Sequence, residues 1–399
     1  MAGWEAKPLG ELCAFQRGLT YGKSDEVDVS SNVVLRANNV DLATHTLDLS
    51  DLRYISDTVS VPAAKRVRKG SLLICTASGS KAHLGKIAYV DADYGYAFGG
   101  FMGQISPVHG VNGRYLFHAL TSPAYKAFIA TLSDGVNINN LKFDDLLQFS
   151  VPVPGLDEQH RIVAILDEAF EGIATAKANA EKNLRNAREL FELQLAVALR
   201  RGGEGWIEMC IGDACTLRSG TTVPVGIERS AGDVPYVKVA EMTMPANRDG
   251  VTTSIRFLNR ADIKPSWLIP AGAVLFPKRG GAILTNKKRL ALVDMCADLN
   301  IMSVIPSDKV TPEFLYLYFL TVDMRKLGTG SSIPQINNYD IAPLLISFPA
   351  SRAKQAEVTE ALRAAESECQ ALAATYERKL AALAELKKSL LHQAFSGAL

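Results

Sequence analysis

Apolar and small side chains recur along two long stretches of the chain at alternating steps of four and three residues. In the first stretch, residues 152–200, proline is absent after Gly155 and the one later glycine is Gly172. Its regularly spaced positions are Ile162, Leu166, Ala169, Ile173, Ala176, Ala180, Ala187 and Leu190. This spacing is typical of a coiled-coil seam, which needs a second helix to cover it. The pattern predicts a helix over residues 157–200, about 60 Å long at roughly 1.5 Å per residue.

The second stretch, residues 351–395, shows the same rhythm. Its seam positions are Val358, Leu362, Ala365, Cys369, Leu372, Tyr376, Leu383, Leu386 and Leu390, interrupted at Lys379. Because the two stretches have similar lengths and similar seams, the sequence favours an antiparallel helix pair. Two independent surface helices are the alternative.

The segments that precede these two helices resemble each other. Gly10-Glu11-Leu12-Cys13 corresponds to Gly212-Asp213-Ala214-Cys215 at an offset of 202, and Gly18 corresponds to Gly220 at the same offset. Further along, the offset shortens. A period this long indicates a duplicated domain rather than a solenoid.

The predicted plan is therefore globule, helix, globule, helix, and the expected fold class is α+β. It comprises two duplicated, mixed α/β globules separated by two long helices that form an antiparallel coiled coil. The expected boundaries are residues 1–151, 152–203, 204–349 and 350–399. Within the globules, short apolar runs bounded by Gly and Asp predict strands at Ser71–Cys75, Lys86–Val90 and Phe101–Ile105, and two runs predict helices at Gly113–Leu132 and Thr311–Arg325.

Composition limits the chemistry. The chain has 399 residues, 48% hydrophobic and 21% charged, and a formal net charge of +1, so any basic surface must be local. The six cysteines include no CxxC pair, which predicts reduced thiols in the cytoplasm. No apolar run approaches the roughly 18 residues of a membrane span. The glycine-rich segment 79–87 lacks phosphate-loop spacing, and the histidines lack metal-ligand spacing, so we expect neither an enzyme nor a cofactor.

Polar, locally basic segments occur at matching places in the two globules. In the first globule, the candidate DNA-binding residues are Arg36, Asn38, Asn39, Thr76, Ser78, Ser80 and Lys81. In the second, they are Lys238, Lys278, Arg279, Asn286, Lys287, Lys288 and Arg289. Arginine and lysine can pair with guanine edges or with phosphates, and asparagine can pair with adenine. A solvated loop is the alternative for each of these residues.

Two amide-rich segments leave a further choice open. Asn137, Asn139 and Asn140 in the first globule, and Gln335, Asn337 and Asn338 in the second, could read bases. They could equally cap the short helices that follow them.

Four segments stand out along the chain: the junction VPVPGLDEQHRIVAILDEAF, its weaker copy ISFPASRAKQAEVTEAL, and the paired openings WEAKPLGEL and WIEMCIGDA. On these segments the chain resembles a specificity subunit of a type I restriction–modification system. The resemblance covers essentially the whole chain. The second junction departs from the pattern, because Ala350 and Ser351 stand where proline is expected.

This resemblance implies a non-catalytic reader of double-stranded DNA. Two target-recognition domains would each read one half of a bipartite, asymmetric site. The coiled coil would space them and dock two copies of a methyltransferase subunit, with a restriction and motor subunit joining indirectly. S-adenosylmethionine, ATP and Mg²⁺ would belong to those partners, and no membrane would be involved. The rival hypothesis is a coiled-coil adaptor between two protein-binding domains, favoured by the net charge of +1; an enzyme with an unrecognised site is a weaker third.

Overall fold

The computed structural model of the chain describes residues 4–80, 83–133, 140–200, 202, 204–327 and 334–399. The chain forms two compact units. The first unit comprises Met1–Glu181 together with Arg378–Leu399, and the second comprises Lys182–Glu377. Each long helix is therefore divided between the two units.

The first unit is built from short strands and helices that precede the long helix. Its strands are β1 (Ala6–Pro8), β2 (Cys13–Arg17), β3 (Glu26–Val27), β4 (Asn32–Leu35), β5 (Arg53–Ile55), β6 (Leu72–Cys75), β7 (Ile87–Tyr89), β8 (Ala97–Phe98), β9 (Met102–Pro107) and β10 (Ser150–Pro152). Its helices are α1 (Leu9–Leu12), α2 (Gly113–Ala119), α3 (Pro123–Ser133), α4 (Phe143–Leu146) and the first part of α5 (Leu156–Arg200).

The second unit repeats this order after α5. Its strands are β11 (Trp206–Cys210), β12 (Cys215–Ser219), β13 (Val234–Val237), β14 (Phe257–Leu258), β15 (Val274–Pro277), β16 (Arg289–Leu290), β17 (Cys296–Ala297), β18 (Ile301–Pro306) and β19 (Leu345–Pro349). Its helices are α6 (Ile211–Ala214), α7 (Pro312–Thr321), α8 (Asn338–Ile341) and the first part of α9 (Arg352–Ser396).

Sheet topology confirms the duplication. In the first unit the strand orders are β1-β10, β2-β9-β6-β7 and β3-β5-β4-β8. In the second they are β11-β19, β12-β18-β15-β16 and β14-β13-β17. One pair in each unit is parallel, β4 with β8 and β13 with β17, and the remaining strand pairs named here are antiparallel.

The repeated glycine serves the same purpose in both units. A Cβ atom on Gly18 would lie 1.9 Å from the carbonyl oxygen of Gly99, and one on Gly220 would lie 2.1 Å from that of Asp298. No side chain fits at either distance, because the chain passes directly over a neighbouring backbone carbonyl. Glycine is therefore required at both positions of the repeat.

The two long helices pack against each other in antiparallel fashion. In the first unit, Ile162 and Leu166 near the start of α5 share a buried cluster with Leu391 and Ala394 near the end of α9. In the second unit the ends are reversed, and Leu195 and Leu199 of α5 share a cluster with Leu362 and Val358 of α9. The predicted helix pair is thus confirmed.

Three leucines that the heptad pattern placed on the seam lie outside it. Leu190, Leu372 and Leu386 are 43%, 41% and 47% exposed. A straight α-helix repeats every 3.6 residues, so a seam counted in steps averaging 3.5 drifts off the buried face. Phe191 is the residue near Leu190 that packs against the core of the second unit.

An ion pair joins α5 to the first globule. The guanidinium of Arg114 on α2 binds both carboxylate oxygens of Asp167, with its Nε 3.1 Å from each, and His118 Nε2 lies 2.8 Å from Oδ1. Burial opposes ionisation of Asp167, but hydrogen bonds from His118 and Arg114 outweigh it and lower the pKa of the carboxyl.

Across the described ranges, no helix combines the length and the apolar character needed to cross a membrane.

Candidate nucleic-acid interface

Two segments that are distant in sequence meet beside the end of β15 in the second unit. The chain after β15 runs antiparallel to the segment before α8, with Arg279 bridged to Gln335. The amide of Ile336 donates to the carbonyl of Lys278 at 2.9 Å, and Gly280 donates to Pro334 at 2.8 Å. The basic loop and the amide-rich segment singled out in the sequence therefore form one surface.

The first unit builds the same junction with different side chains. There Ala77 is bridged to Asn140, and Leu141 donates to the carbonyl of Thr76 at 2.7 Å. The positions of Arg279 and Gln335 are thus occupied by alanine and asparagine. The two units therefore share this backbone arrangement but carry different side chains on it.

Four polar side chains form a relay across the junction in the second unit. Arg279 Nε donates to Gln335 Oε1 at 3.1 Å, and Gln335 Nε2 donates to Asn337 Oδ1 at 2.5 Å. Asn337 Nδ2 in turn donates to the hydroxyl of Tyr339 at 2.8 Å. Arg279 is exposed, as is Tyr339 at 69%.

Asn337 occupies a capping position, one of the two roles left open for the amide-rich segment. It is the N-cap of α8, and its backbone N–H donates to Asp340 Oδ2 at 2.7 Å. Its side chain and that of Gln335 are both engaged in the relay, so they support Arg279 rather than project freely. Tyr339 did not stand out in the sequence, although its place directly after two asparagines in NNYD was a usable signal. Asn137 and Asn139 lie outside the described residues.

The other basic residues of this loop make contacts within the unit. Lys278 is 9% exposed, and its Nζ donates to Ser219 Oγ at 2.7 Å. Burial, and then the charge of Arg279, lower the pKa of Lys278. Arg289 donates through Nε to the carbonyl of Asn247 at 3.1 Å.

Lys288 and Asn286 hold the loop together. Lys288 is 4% exposed and donates to Asn286 Oδ1 at 2.8 Å, and that oxygen also accepts from the backbone N–H of Met324 at 2.9 Å. Burial lowers the pKa of Lys288 to about 8. Lys287 between them is half-buried, and burial followed by the charge of Arg289 lowers its pKa.

The predicted residues after β4 converge on one carboxylate. Asp51 accepts from Arg36 Nη2 at 3.3 Å and from Asn38 Nδ2 at 2.7 Å. Asn39 is 1% exposed; its Oδ1 accepts from the Arg36 N–H and its Nδ2 donates to the carbonyls of Asp48 and Asp51. In this arrangement Asn39 shapes the loop, while Arg36 and Asn38 stay partly exposed beside Asp51.

The second unit repeats this loop with a charged residue in place of Asn39. Glu241 is 2% exposed, and its Oε2 accepts from the backbone N–H of Lys238 at 3.0 Å. Lys238 Nζ pairs with Glu228 at 2.9 Å, and Arg256 pairs with Glu241. Arg36 and Lys238 are therefore equivalent cations, and each has a carboxylate partner.

The serine and threonine loop of the first unit lies beside an exposed aromatic ring. Thr76 is buried, and both its N–H and its hydroxyl donate to the carbonyl of Phe101, whose side chain is 73% exposed. Ser78 Oγ accepts from the N–H of Ser80 at 3.2 Å. The predicted contact Lys81 lies outside the described residues.

Within the described ranges, no group of three or more His, Cys, Asp or Glu side chains is arranged to hold a metal ion. The surfaces described above contain cations, amides and hydroxyls. Such groups match the base edges and phosphates of nucleic acid.

Comparisons with known proteins find related specificity subunits. The chain is 28% identical to the type I restriction enzyme StySPI specificity subunit of Salmonella potsdam over 200 residues, which is 49% of this chain and 42% of that protein. It is 28% identical to the EcoKI specificity subunit of Escherichia coli (strain K12) over 183 residues, 45% of this chain and 39% of that protein. The matched segments thus span about two fifths of these relatives.

Solved structures share the fold over the full length. One, titled for complex assembly and conformational transition of the type I R-M system, has a TM-score of 0.80 at 19% identity and covers 100% of this chain and 99% of its own. The HsdS subunit from Thermoanaerobacter tengcongensis has a TM-score of 0.65 at 19% identity, covering 100% and 98%. The family model described as "Type I restriction modification DNA specificity domain" matches residues 1–184 and 203–380. The chain therefore belongs to the family of type I restriction–modification DNA specificity proteins.

Proposed function

We propose that the chain is the non-catalytic subunit that gives a type I restriction–modification complex its DNA sequence specificity. Its two globules would each read one half of a bipartite, asymmetric site on double-stranded DNA. The observation that carries this proposal is the duplicated junction, in which Ala77 and Asn140 of one unit correspond to Arg279 and Gln335 of the other. A reader of two different half-sites needs one conserved frame that carries two different sets of side chains.

Local chemistry rather than overall charge supports DNA as the ligand. The chain has a formal net charge of +1, so it cannot attract a phosphate backbone by its total charge. Arg279 and Lys287 supply local cations in the second unit, and the Thr76–Ser80 loop supplies hydroxyl groups in the first. We therefore expect affinity for DNA to rise when a partner protein adds further phosphate contacts.

The partners we propose are methyltransferase subunits docked on the two long helices, in two copies. The support is apolar surface left exposed on those helices within each unit. In the second unit Leu193 and Val197 of α5 are 64% and 50% exposed, and in the first unit Leu386 of α9 is 47% exposed. A restriction and motor subunit would join through the methyltransferase.

In this proposal the chain itself holds no cofactor. S-adenosylmethionine would be bound by the methyltransferase, and ATP and Mg²⁺ would be required by the partner subunits. The place of action would be the cytoplasm, where the DNA of the cell is accessible.

Fluorescence anisotropy on labelled duplex DNA tests the proposal. The chain would be titrated alone and with its methyltransferase, first against random-sequence duplexes and then against the site found by methylation mapping. We expect specific binding in the complex at least about 1,000-fold tighter than non-specific binding. Equal affinity for every sequence, with a stable protein complex, would instead support a protein adaptor.

Domain exchange tests the division into two readers. Residues 1–150 would be replaced by the corresponding globule of another member of the family, and the new methylation site would be mapped. Only one half of the recognised sequence should change. A change in the half read by residues 206–345 would show that the globules do not read independently.

A further inference from the structure

We propose that Arg279 reads a guanine in the half-site recognised by the second unit, and that Gln335 positions it for this contact. The inference rests on the proposed function and goes further, because it names one base and the group that recognises it. Three features of the junction support it: the direction from which Arg279 is held, the chain of side-chain hydrogen bonds behind it, and the lack of a carboxylate partner for Arg279 in the described part of the chain.

Arg279 is held from the side. Its Nε donates to Gln335 Oε1, so the side of the guanidinium is occupied. The two terminal nitrogens receive no hydrogen-bond acceptor from the described part of the chain. An arginine held in this way presents both terminal N–H groups end-on, as a planar fork.

The relay determines which end of the Gln335 amide faces Arg279. Because Gln335 Nε2 donates to Asn337 Oδ1, the amide oxygen is the atom turned toward the guanidinium. Asn337 is itself fixed by its bonds to Tyr339 and Asp340. A side chain whose neighbours are already ordered loses less conformational freedom on binding than a free one, which favours a specific contact.

The cations that follow β4 and β13 each have a carboxylate partner, and in this respect they differ from Arg279. Arg36 pairs with Asp51 and Lys238 pairs with Glu228. Across the described ranges, Arg279 forms no ion pair, and the nearby Asp340 carboxylate accepts from the Asn337 N–H. Arg279 therefore keeps its charge and its terminal donors available for a ligand.

Guanine is the base whose edge matches two parallel donors. In the major groove it offers two acceptors, O6 and N7, whereas adenine offers one acceptor beside a donor that would oppose an arginine N–H. The corresponding position of the first unit is Ala77, which has no donor on its side chain. We therefore expect this guanine contact in one half-site only.

Base substitution tests this inference directly. In the methyltransferase complex, each guanine of the half-site assigned to the second unit would be replaced in turn by 7-deazaguanine, which lacks the N7 acceptor. At one guanine we expect a loss of affinity of about 5- to 150-fold for the unaltered protein. Arg279→Ala should bind the unaltered site more weakly by a similar factor and should no longer respond to that replacement.

Two further variants separate reading from positioning and from charge. Arg279→Lys keeps the charge but loses the fork, so it should retain the salt dependence of binding while losing most of the discrimination. Gln335→Leu should reduce discrimination at the same guanine without changing the salt dependence, because it removes the acceptor that holds Arg279 and leaves the charge in place. Arg260→Ala, which removes an exposed arginine that pairs with Asp294, is the matched control and should leave the profile unchanged.

The outcomes also separate this inference from the proposed function. Absence of sequence-specific binding by the unaltered complex would contradict the proposed function. Specific binding with no guanine in that half-site, or with an unchanged 7-deazaguanine response in Arg279→Ala, would overturn the assignment of Arg279 alone. Equal weakening at all sequences in Arg279→Ala would overturn it as well, by assigning Arg279 to a phosphate.

Discussion

The side-chain oxygen of Gln159 accepts a 2.8 Å hydrogen bond from the backbone N–H of Asn112. The same side chain donates through Nε2 to the carbonyls of Gly110 and Pro154, and Gln159 is fully buried. This one glutamine therefore ties the start of α5 to two segments of the first globule.

The second unit repeats the arrangement. Gln355 Oε1 accepts from the N–H of Thr311 at 2.7 Å, and its Nε2 donates to the carbonyls of Lys309 and Pro349. Gln355 is also fully buried. The glutamine of the family junction is thus a docking residue that fixes each long helix to its own globule.

We expect Gln159→Leu to destabilise the first unit by about 1–3 kcal/mol, because it leaves the Asn112 N–H and the carbonyls of Gly110 and Pro154 without the partner that the buried Gln159 side chain supplies. Denaturant unfolding, with hydrogen exchange at residues 110–116, would measure the loss. Gln355→Leu should do the same to the second unit. Gln370→Leu on an exposed part of α9 is the control, and a loss no larger than the control's would contradict the docking role.

Lys287 and Lys288 should behave differently although they are adjacent. Lys287→Ala should weaken DNA binding at all sequences and lower the slope of log affinity against log salt by about one unit, as loss of a phosphate contact does. Lys288→Ala removes a buried side chain whose hydrogen bond to Asn286 lies inside the unit, so it should leave the slope unchanged. A salt series on both variants would decide; equal slopes in Lys287→Ala and the unaltered protein would place Lys287 away from DNA.

Lys288 should also make stability depend on pH. Its pKa is about 8 in the folded chain against 10.5 as a reference, so between these values the unfolded chain binds more protons. Stability should therefore rise with pH across this window, as the cost of burying the charge is relieved. In Lys288→Met that rise should be smaller, and parallel pH profiles for the two proteins would contradict the assignment.

In the proposed function, α5 sets the spacing between the half-sites. Inserting four residues between Ala176 and Ala180 adds about 6 Å and about 40° of turn. The rise of DNA is about 3.4 Å per base pair, so the preferred spacer should lengthen by one or two base pairs while both half-sites keep their sequence. Methylation mapping of the assembled variant would measure this. Methylation at the original spacing by a folded variant would show that the helix does not act as a ruler.

The sequence predicts those features of the fold that come from a repeated pattern of residues. The duplicated order, the helix pair and the correspondence of Gly18 with Gly220 could all be predicted, because spacing and repeat offset can be read directly from the sequence. The parallel pairing of β4 with β8 could not. Strands β5, β6 and β7 lie between them in the chain, and strand pairing across such a distance leaves no local pattern.

For the candidate site, too, the sequence predicts some features and leaves others undetermined. The cluster of cations after β15 was visible, but a run of lysines looks the same whether its members face solvent or the interior. Lys278 is buried because Ser219, 59 residues away, accepts from it. Asn39 has the chemistry of a base reader, yet its amide is satisfied by Asp48 and Asp51. Only three-dimensional partners distinguish these roles.

The first unit is assembled from residues 1–181 and 378–399, whereas the second is continuous. During synthesis, all of the second unit is therefore made before Leu391 and Ala394 exist to cover Ile162 and Leu166. At about 5–20 residues per second, the incomplete core waits roughly 10–40 s for its last helical turns. A chain that stops at residue 377 contains every residue of the second unit, whereas the first unit then lacks residues 378–399, including Leu391 and Ala394.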